Sequence, residues 1–247
     1  MIADNLVMEP YRSQSALEFF ASAAVLTHLC TDISRVRCAS TAIADYSAEL
    51  FPEERALVER AVPKRRREFS TGRWLAHRLL TETGRAQAPV LRRGARAPLW
   101  PEASVGSIAH TEHLGWVAIA EANAKIAGLG IDVELRRWLP ENLFDKLFLP
   151  GELDLIATLG PEIPTALFAA KEAIYKATEP LAGAFIGFSE AVLSLTDKPY
   201  SGQGSLAFHF RARYLGEHAP SARLEQGEGL VQLVGDHVFA LFVIGER

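Results

Sequence analysis

The sequence has few cysteines and no long apolar segment. Its two cysteines, Cys30 and Cys38, form no CxxC pair and do not combine with His28 into the spacing of a zinc site. A disulfide scaffold is therefore disfavoured, and a reducing compartment is predicted. Apolar runs stay far below the roughly 20 residues that span a bilayer. The apolar stretch at 19–29 lacks the basic start of a secretory signal. We expect a cytoplasmic protein that does not bind membranes.

The sequence also lacks a strong excess of charge of either sign. Its 26 basic and 30 acidic residues give a net charge of −4. Dedicated nucleic-acid binders usually carry a large basic excess, so no nucleic-acid partner is expected, and any anion site must be a local basic cluster. The 247 residues, 49% of them hydrophobic, are ample for a buried core. This length fits one large domain or two small domains of about 120 residues each.

Helix and strand signals alternate along both halves of the chain. The segment 85–104 is rich in Arg, Gly, Ala and Pro, so a loop with at most short strands is predicted there. Helices are predicted at 13–27, 52–62, 64–83, 140–158 and 165–178, and strands at 36–44, 105–109, 115–122, 126–135, 192–195, 206–214, 229–234 and 238–244. No short repeat is apparent. The pattern predicts an α/β or α+β protein with two comparable halves.

Two acids alternate on a predicted strand, in Gly130-Ile131-Asp132-Val133-Glu134. Side chains at i and i+2 share a face of a strand, so Asp132 and Glu134 project to the same side. Hard divalent cations such as magnesium prefer oxygen ligands and take one or two protein carboxylates with phosphate oxygens and water. The alternative is an ordinary exposed strand face, which this pattern alone favours.

A second motif lies on a predicted helix, in Lys171-Glu172-Ala173-Ile174-Tyr175-Lys176. Glu172 and Lys176 are four residues apart and meet on one face. One interpretation is a surface ion pair contributing about 0.3–0.5 kcal/mol, which the motif alone favours. The other makes Glu172 a metal ligand or a base and Lys176 a phosphate ligand.

Two further groups of residues have the chemistry of anion ligands. Ser107 and His110 stand at the ends of a predicted strand, where they could hold phosphate oxygens or act as nucleophile and base, although no G-x-S-x-G elbow is present. A structural role is the alternative for His110. Arg65 and Arg73 are nearly aligned on a predicted helix, and guanidinium groups bind phosphate well. A solvated helix start or a nucleic-acid patch are the alternatives there.

Taken in order, these motifs resemble the 4′-phosphopantetheinyl transferases, and the longer pattern resembles the group that includes the enterobactin-type enzymes. The matching segments are Arg66-Arg67-Glu68-Phe69, Gly72-Arg73, Ala76, Pro98-Leu99-Trp100-Pro101, Gly106-Ser107-Ile108-Ala109-His110, Gly130-Ile131-Asp132-Val133-Glu134 and Lys171-Glu172-Ala173-Ile174-Tyr175-Lys176, within about residues 50–190. The resemblance implies a monomer of two similar α/β halves related by a pseudo-twofold axis, with coenzyme A in the cleft between them. The halves would be residues 1–126 and 127–247, the second carrying the magnesium site.

The resemblance also implies a reaction. A serine of an apo acyl or peptidyl carrier protein attacks the β-phosphate of coenzyme A and releases 3′,5′-ADP. It favours carriers of secondary metabolism or siderophore synthesis. The alternatives are another magnesium-dependent phosphoryl-type or nucleotidyl transferase, although no Walker motif is present, and a non-catalytic binding module that uses the basic helix.

Residue roles follow from the same resemblance. Asp132, Glu134 and Glu172 hold magnesium, or manganese in its place. Glu172, directly or through water, accepts the serine proton, and Lys176 binds the pyrophosphate, so that Asp132, Glu172 and Lys176 are the catalytic set. The expected coenzyme A ligands are Lys176, Ser107 and His110, with His110 at the 3′-phosphate. Arg65 and Arg73 are expected at the 3′-phosphate or on the adenosine side, and Arg92 and Arg96 of the loop are further candidates. Ala109 departs from the pattern, since relatives often have serine or threonine there.

Overall fold

The computed structural model describes residues 12–15, 33–94, 97–137, 139–182, 187–195, 200–202, 205–215, 224 and 226–246. The described residues contain five α-helices and twelve strands. The helices are α1 (Pro52–Ala56), α2 (Pro63–Glu82), α3 (Phe144–Leu147), α4 (Pro150–Leu159) and α5 (Ile163–Ala182). The strands are β1 (Arg12–Ser15), β2 (Val36–Ala42), β3 (Leu91–Arg93), β4 (Ala97–Leu99), β5 (Gly106–His110), β6 (Leu114–Ala120), β7 (Ile126–Leu135), β8 (Ala191–Leu195), β9 (Tyr200–Gly202), β10 (Ser205–Tyr214), β11 (Gly227–Val234) and β12 (His237–Gly245). None of the helices in this part of the chain is both long and apolar enough to cross a membrane.

The two halves share one topology. In the first, β2 is followed by α2 and by the antiparallel pair β5 and β6, and β6 returns to pair with β2. In the second, β7 is followed by α5 and by an antiparallel meander whose last strand, β12, returns to pair with β7. The sheet orders are β1-β2-β6-β5 and β7-β12-β11-β10-β8, with β9 beside β10. The predicted fold of two similar halves mixing helices and strands is confirmed, and the boundary at residue 126 stays a prediction.

The two sheets pack face to face with their helices outside. Residues of β6, including Trp116 and Ala118, share a buried cluster with Ile131 and Val133 of β7. On the opposite face of the first sheet, α2 buries Leu75, Leu79 and neighbouring apolar residues against β2 and β6. On the outer face of the second sheet, α5 buries its small and apolar residues. The edge strands β5 and β7 meet between the halves, where the Ile131 N–H donates to Ser107 Oγ at 3.1 Å.

An internal repeat underlies this similarity. Glu54 and Glu152 follow a proline by two positions, are fully buried and cap the first turn of their helices by accepting the N–H of Phe51 and Leu149. Their other oxygens accept the N–H of Val90 and Leu193, in the segments that follow α2 and α5. Nineteen positions after each glutamate stands a buried cation, Arg73 or Lys171, which donates to carbonyl groups of the same segments. Both pairs are offset by 98 positions. The repeat is not apparent from the sequence, because arginine in the first half and lysine in the second have the same role.

Two glycines allow α5 to lie directly on β7. Gly128 and Gly130 lie on the same face of the strand as Asp132 and Glu134. A Cβ at Gly128 would lie 2.5 Å from the Ala177 carbonyl oxygen, and one at Gly130 would overlap the Ala173 carbonyl oxygen. The backbone of the helix therefore approaches the strand closely, which brings the acids of β7 next to those of α5.

We expect Gly130→Ala to destabilise the protein by about 1–3 kcal/mol, because the added methyl group must push α5 off the sheet. Urea unfolding followed by circular dichroism measures this change. Gly151→Ala is the matched control, since a Cβ there meets nothing within 4 Å. A Gly130→Ala protein as stable as the wild type would show that the helix contact is looser than described.

Two predicted helices are wrong in their extent. The helix expected at 140–158 is interrupted, because Leu149 before Pro150 is extended, with ψ 160°. The helix expected at 52–62 ends at Ala56, and Val62 before Pro63 is extended in the same way. The helix expected from Ser13 is also wrong at its start, because residues 12–15 pair with β2 as a strand. The rest of that segment lies outside the described residues. The predicted strand at 126–135 is confirmed at both ends.

Candidate active site

A cavity of about 580 Å³ lies between the two halves. The cations Arg65, Arg73, Arg92 and Lys176 outnumber the acids Glu68 and Asp132 on its walls. The remaining lining residues are Phe69, Pro98, Ile108, Ala109 and His110. The volume is that of a small-molecule site, and the charge balance favours an anionic ligand.

A second cavity of about 410 Å³ adjoins the first. Pro98, Ile108 and Lys176 line both cavities, so they form one continuous groove. The second cavity is bordered by Trp100 of the segment after β4, and by Glu172 and Tyr175 of α5. Asp132 and Glu172 therefore face the same groove from a strand and a helix.

Strand alternation presents the β7 acids to α5, as predicted. Ile131 and Val133 point into the core between the sheets, and Asp132 lies on the opposite face at 7% exposure. Lys176 Nζ donates to Asp132 Oδ1 at 2.7 Å and to the Ile131 carbonyl oxygen at 3.0 Å. Asp132 Oδ2 is buried without a hydrogen-bond partner among the described residues. The ion pair of Lys176 thus crosses from helix to strand.

The three acids of the predicted metal site influence one another electrostatically. Burial raises the pKa of Glu134 to about 7, with repulsion from Asp132 and, more weakly, from Glu172 contributing. Burial also raises the pKa of Glu172, and the charge of Asp132 adds to this rise while Lys176 opposes it. Like charges at one site repel each other, and a cation at that site offsets the repulsion. The three carboxylates therefore form one electrostatic group, to which Lys176 supplies a positive charge.

The described residues hold no three His, Cys, Asp or Glu side chains in the arrangement of a metal site. The donor set consists of carboxylate oxygens, which is what magnesium prefers. The unpartnered Asp132 Oδ2 is a buried oxygen that lacks a hydrogen-bond donor. The carboxylate oxygens of these residues fit the ligand preference of magnesium, and one of them, Asp132 Oδ1, is paired with Lys176 Nζ.

Arg65 of α2 and His110 at the end of β5 lie side by side. Arg65 Nη1 is 3.3 Å from His110 Nε2. Burial lowers the pKa of His110, and the nearby charges of Arg65 and Lys176 lower it further, whereas Glu68 raises it. In its neutral form His110 can accept a hydrogen bond from Arg65 through Nε2. Both groups line the cavity, as expected for ligands of an anion.

Two other predicted ligands hold the scaffold as well as lining the groove. Ser107 Oγ accepts the Ile131 N–H, and Ser107 lines the second cavity. Arg73 donates to the carbonyl groups of Val90 and Leu91 at 2.6 and 3.1 Å and lines the first cavity. Burial lowers the pKa of Arg73 to about 10. Their roles as ligands stay predictions, and Arg96 lies outside the described residues.

Two features of the site were missed from the sequence. Glu68 stands one helical turn after Arg65, with Oε2 3.6 Å from Nη1, and this spacing could have identified it. Lys171, in the same motif as Glu172, is buried against Glu152 at 2.7 Å. Nothing in the local pattern indicates this partner, which comes from another helix.

Comparison with known proteins identifies the family. Residues 53–120 match the model of the 4′-phosphopantetheinyl transferase N-terminal domain, and residues 128–237 match the model of the 4′-phosphopantetheinyl transferase superfamily. The 4′-phosphopantetheinyl transferase Npt of Nocardia iowensis is 33% identical over 69% of this chain and 78% of its own length. The chain belongs to the 4′-phosphopantetheinyl transferase superfamily.

Other members of the superfamily match over smaller shares. The 4′-phosphopantetheinyl transferase Svp of Streptomyces mobaraensis is 41% identical over 151 residues, which are 59% of this chain and 61% of that protein. Enterobactin synthase component D of Escherichia coli K12 is 32% identical over 50% of this chain and 60% of its own length. The chain thus spans about three fifths of the length of these two superfamily members. The family resemblance stated from the motifs is confirmed.

Proposed function

We propose that this superfamily member transfers the 4′-phosphopantetheine arm of coenzyme A to a serine of an apo carrier protein and releases 3′,5′-ADP. The observation that supports this is the groove between the halves, which has cationic walls and carries Asp132, Glu172 and Lys176 from two elements. The names of the related transferases point the same way. Phosphoryl-type transfer rests on positioning and on stabilising negative charge, which these walls suit.

Asp132, Glu134 and Glu172 would hold magnesium, with manganese as the alternative. The ion, when bound, neutralises negative charge on the diphosphate. Lys176 is the proposed pyrophosphate ligand, and its bond to Asp132 keeps it pointed into the groove until a phosphate oxygen replaces that carboxylate. Before a cation binds, burial raises the pKa of Glu172, which makes its carboxylate a better proton acceptor than that of an ordinary glutamate. We therefore assign the serine proton to Glu172, directly or through water.

The proposed ligands of the 3′-phosphate are Arg65 and His110, which stand together in the cavity that Lys176 also lines. Arg73 and Ser107, which line the same groove, complete the proposed ligand set. Relatives named enterobactin synthase component D favour a peptidyl carrier of siderophore synthesis as the acceptor. We propose a monomer of two halves, residues 1–126 and 127–247, with the acids on the second.

Mass spectrometry tests the function. Incubation with coenzyme A, magnesium and an apo carrier protein should increase the mass of the carrier by about 340 Da, the mass of the arm. A panel of apo carriers from siderophore, polyketide and fatty-acid synthesis identifies the acceptor. A carrier in which the acceptor serine is replaced by alanine is the control. If no carrier gains this mass, the proposed transfer is wrong.

We expect His110→Ala to raise the apparent Michaelis constant for coenzyme A by about 10-fold, because one charge-assisted contact to phosphate is lost. The turnover number should change little, because the contact proposed for His110 is to the 3′-phosphate and not to the phosphate that reacts. His113→Ala is the control, because His113 lies exposed in the neighbouring turn. An unchanged constant in His110→Ala would remove His110 from the ligand set.

A further inference from the structure

Glu68 is an acid on the wall of a cavity that otherwise favours anions. Its side chain projects from the first turns of α2 and is 11% exposed. A carboxylate there repels a polyanionic ligand, so it opposes the binding that the surrounding cations support. The contacts that Glu68 makes offset this cost.

Glu68 Oε2 lies close to both proposed phosphate ligands. It is 3.6 Å from Arg65 Nη1 and 3.8 Å from His110 Nε2, which are themselves 3.3 Å apart. The three groups come from α2 and from the end of β5. The Glu68 carboxylate is thus within 4 Å of both groups, so a single side chain can hold them next to each other.

This arrangement matters most for Arg65, because Glu68 pairs with its charge next to the imidazole of His110. Arg65 is half exposed, on a long flexible side chain that loses considerable rotamer freedom when fixed. Without the carboxylate, the guanidinium would turn toward solvent and away from the imidazole. With it, both groups line the cavity within 3.3 Å of each other, so that one phosphate group can contact both.

We propose that Glu68 is a positioning residue that holds Arg65 and His110 together for the 3′-phosphate, and so sets the preference for coenzyme A over 3′-dephospho-coenzyme A. The inference rests on the proposed function, because it takes coenzyme A as the ligand of this cavity. Glu68 acts through its two neighbours and does not touch the transferred group. Its loss should therefore affect binding of the 3′-phosphate and not the turnover number.

The test is Glu68→Gln, which preserves shape and removes the charge. For the wild type and the variant, kcat/KM is measured with coenzyme A and with 3′-dephospho-coenzyme A. We expect the ratio of the two values to fall by about 10-fold in the variant, with kcat for coenzyme A within about 2-fold of the wild type. Glu112→Gln is the matched control, since Glu112 pairs with Lys64 at the start of the same helix but is exposed.

Calorimetric titration with the two ligands gives the ratio of their dissociation constants. This ratio does not depend on turnover. If the wild type transfers no arm, the proposed function is wrong, and the ratio of affinities still tests Glu68. An unchanged ratio in folded Glu68→Gln overturns the inference, and so does a wild type that binds both ligands equally. If Glu68→Gln fails to fold, Glu68→Asp replaces it, because the shorter side chain withdraws the carboxylate from both neighbours and should lower the ratio too.

Discussion

Replacing Asp132 by alanine is expected to reduce carrier modification by at least about 100-fold, and Glu172→Ala by a similar factor. Each substitution removes one of the carboxylates that meet between β7 and α5. Asp132→Ala also releases Lys176, which Asp132 holds at 2.7 Å. The protein should remain folded, because Asp132 and Glu172 repel each other and neither has an apolar packing role.

The measurement is the rate of mass increase of an apo carrier at saturating coenzyme A and magnesium. Asp132→Asn separates charge from shape, since the amide oxygen can still accept from Lys176. We expect Asn to be nearly as damaging as Ala, because the charge is what the phosphates and cation respond to. Asp154→Ala, on the exposed side of α4, is the control for removing an aspartate from the same half.

Normal rates in both Asp132→Ala and Glu172→Ala would show that the metal assignment is wrong. Loss in Asp132→Ala alone would restrict the essential role to the Asp132–Lys176 pair. Circular dichroism and urea unfolding on the same samples exclude misfolding as the cause of any loss.

Glu152→Gln is expected to destabilise the protein by about 3–5 kcal/mol, the usual cost of leaving one partner of a buried ion pair alone. Glu152 is fully buried and Lys171 is 3% exposed, with 2.7 Å between Oε2 and Nζ. Burial lowers the pKa of Lys171, so its charge depends on this glutamate. Urea unfolding measures the loss, and Glu112→Gln, in an exposed pair, should leave the midpoint unchanged.

A double-mutant cycle with Lys171→Met tests the physical reason. Removing both charges should cost clearly less stability than the sum of the two single losses. In the double variant neither the Glu152 nor the Lys171 charge remains buried and unpaired. Some loss should persist, since Lys171 also donates to the carbonyl groups of Phe188 and Ala191. Additive losses would mean that the two residues stabilise the protein independently.

The sequence was most informative where local periodicity decides the structure. The alternation in β7 correctly separated Asp132 from Ile131, because a strand buried on one face leaves little choice of orientation. The motif on α5 correctly joined Glu172 and Lys176 to one helix face. Proline effects are readable in principle, since Pro150 disfavours a continuous helix over 140–158.

What the sequence did not indicate are partners distant along the chain. Lys171 stands beside Glu172 in the motif, and its buried partner Glu152 comes from another helix, α4. Arg73 has the residue type of a phosphate ligand, and its hydrogen bonds to the Val90 and Leu91 carbonyl groups became visible only in three dimensions. Such contacts depend on how helices pack on the sheets, which no local pattern specifies.

The offset of 98 positions between the halves gives the positions of α5 up to Pro180 a counterpart on α2. The counterparts of Glu172 and Lys176 are Trp74 and Arg78. Trp74 stacks on Tyr46 with ring centroids 4.2 Å apart, and the Arg78 guanidinium lies 4.6 Å from the Trp74 ring centroid. An aromatic stack therefore stands where the other copy has its acid and lysine. Of these two helices only α5 therefore presents the residues proposed to bind the metal and the diphosphate, and we expect a single reaction site in each polypeptide.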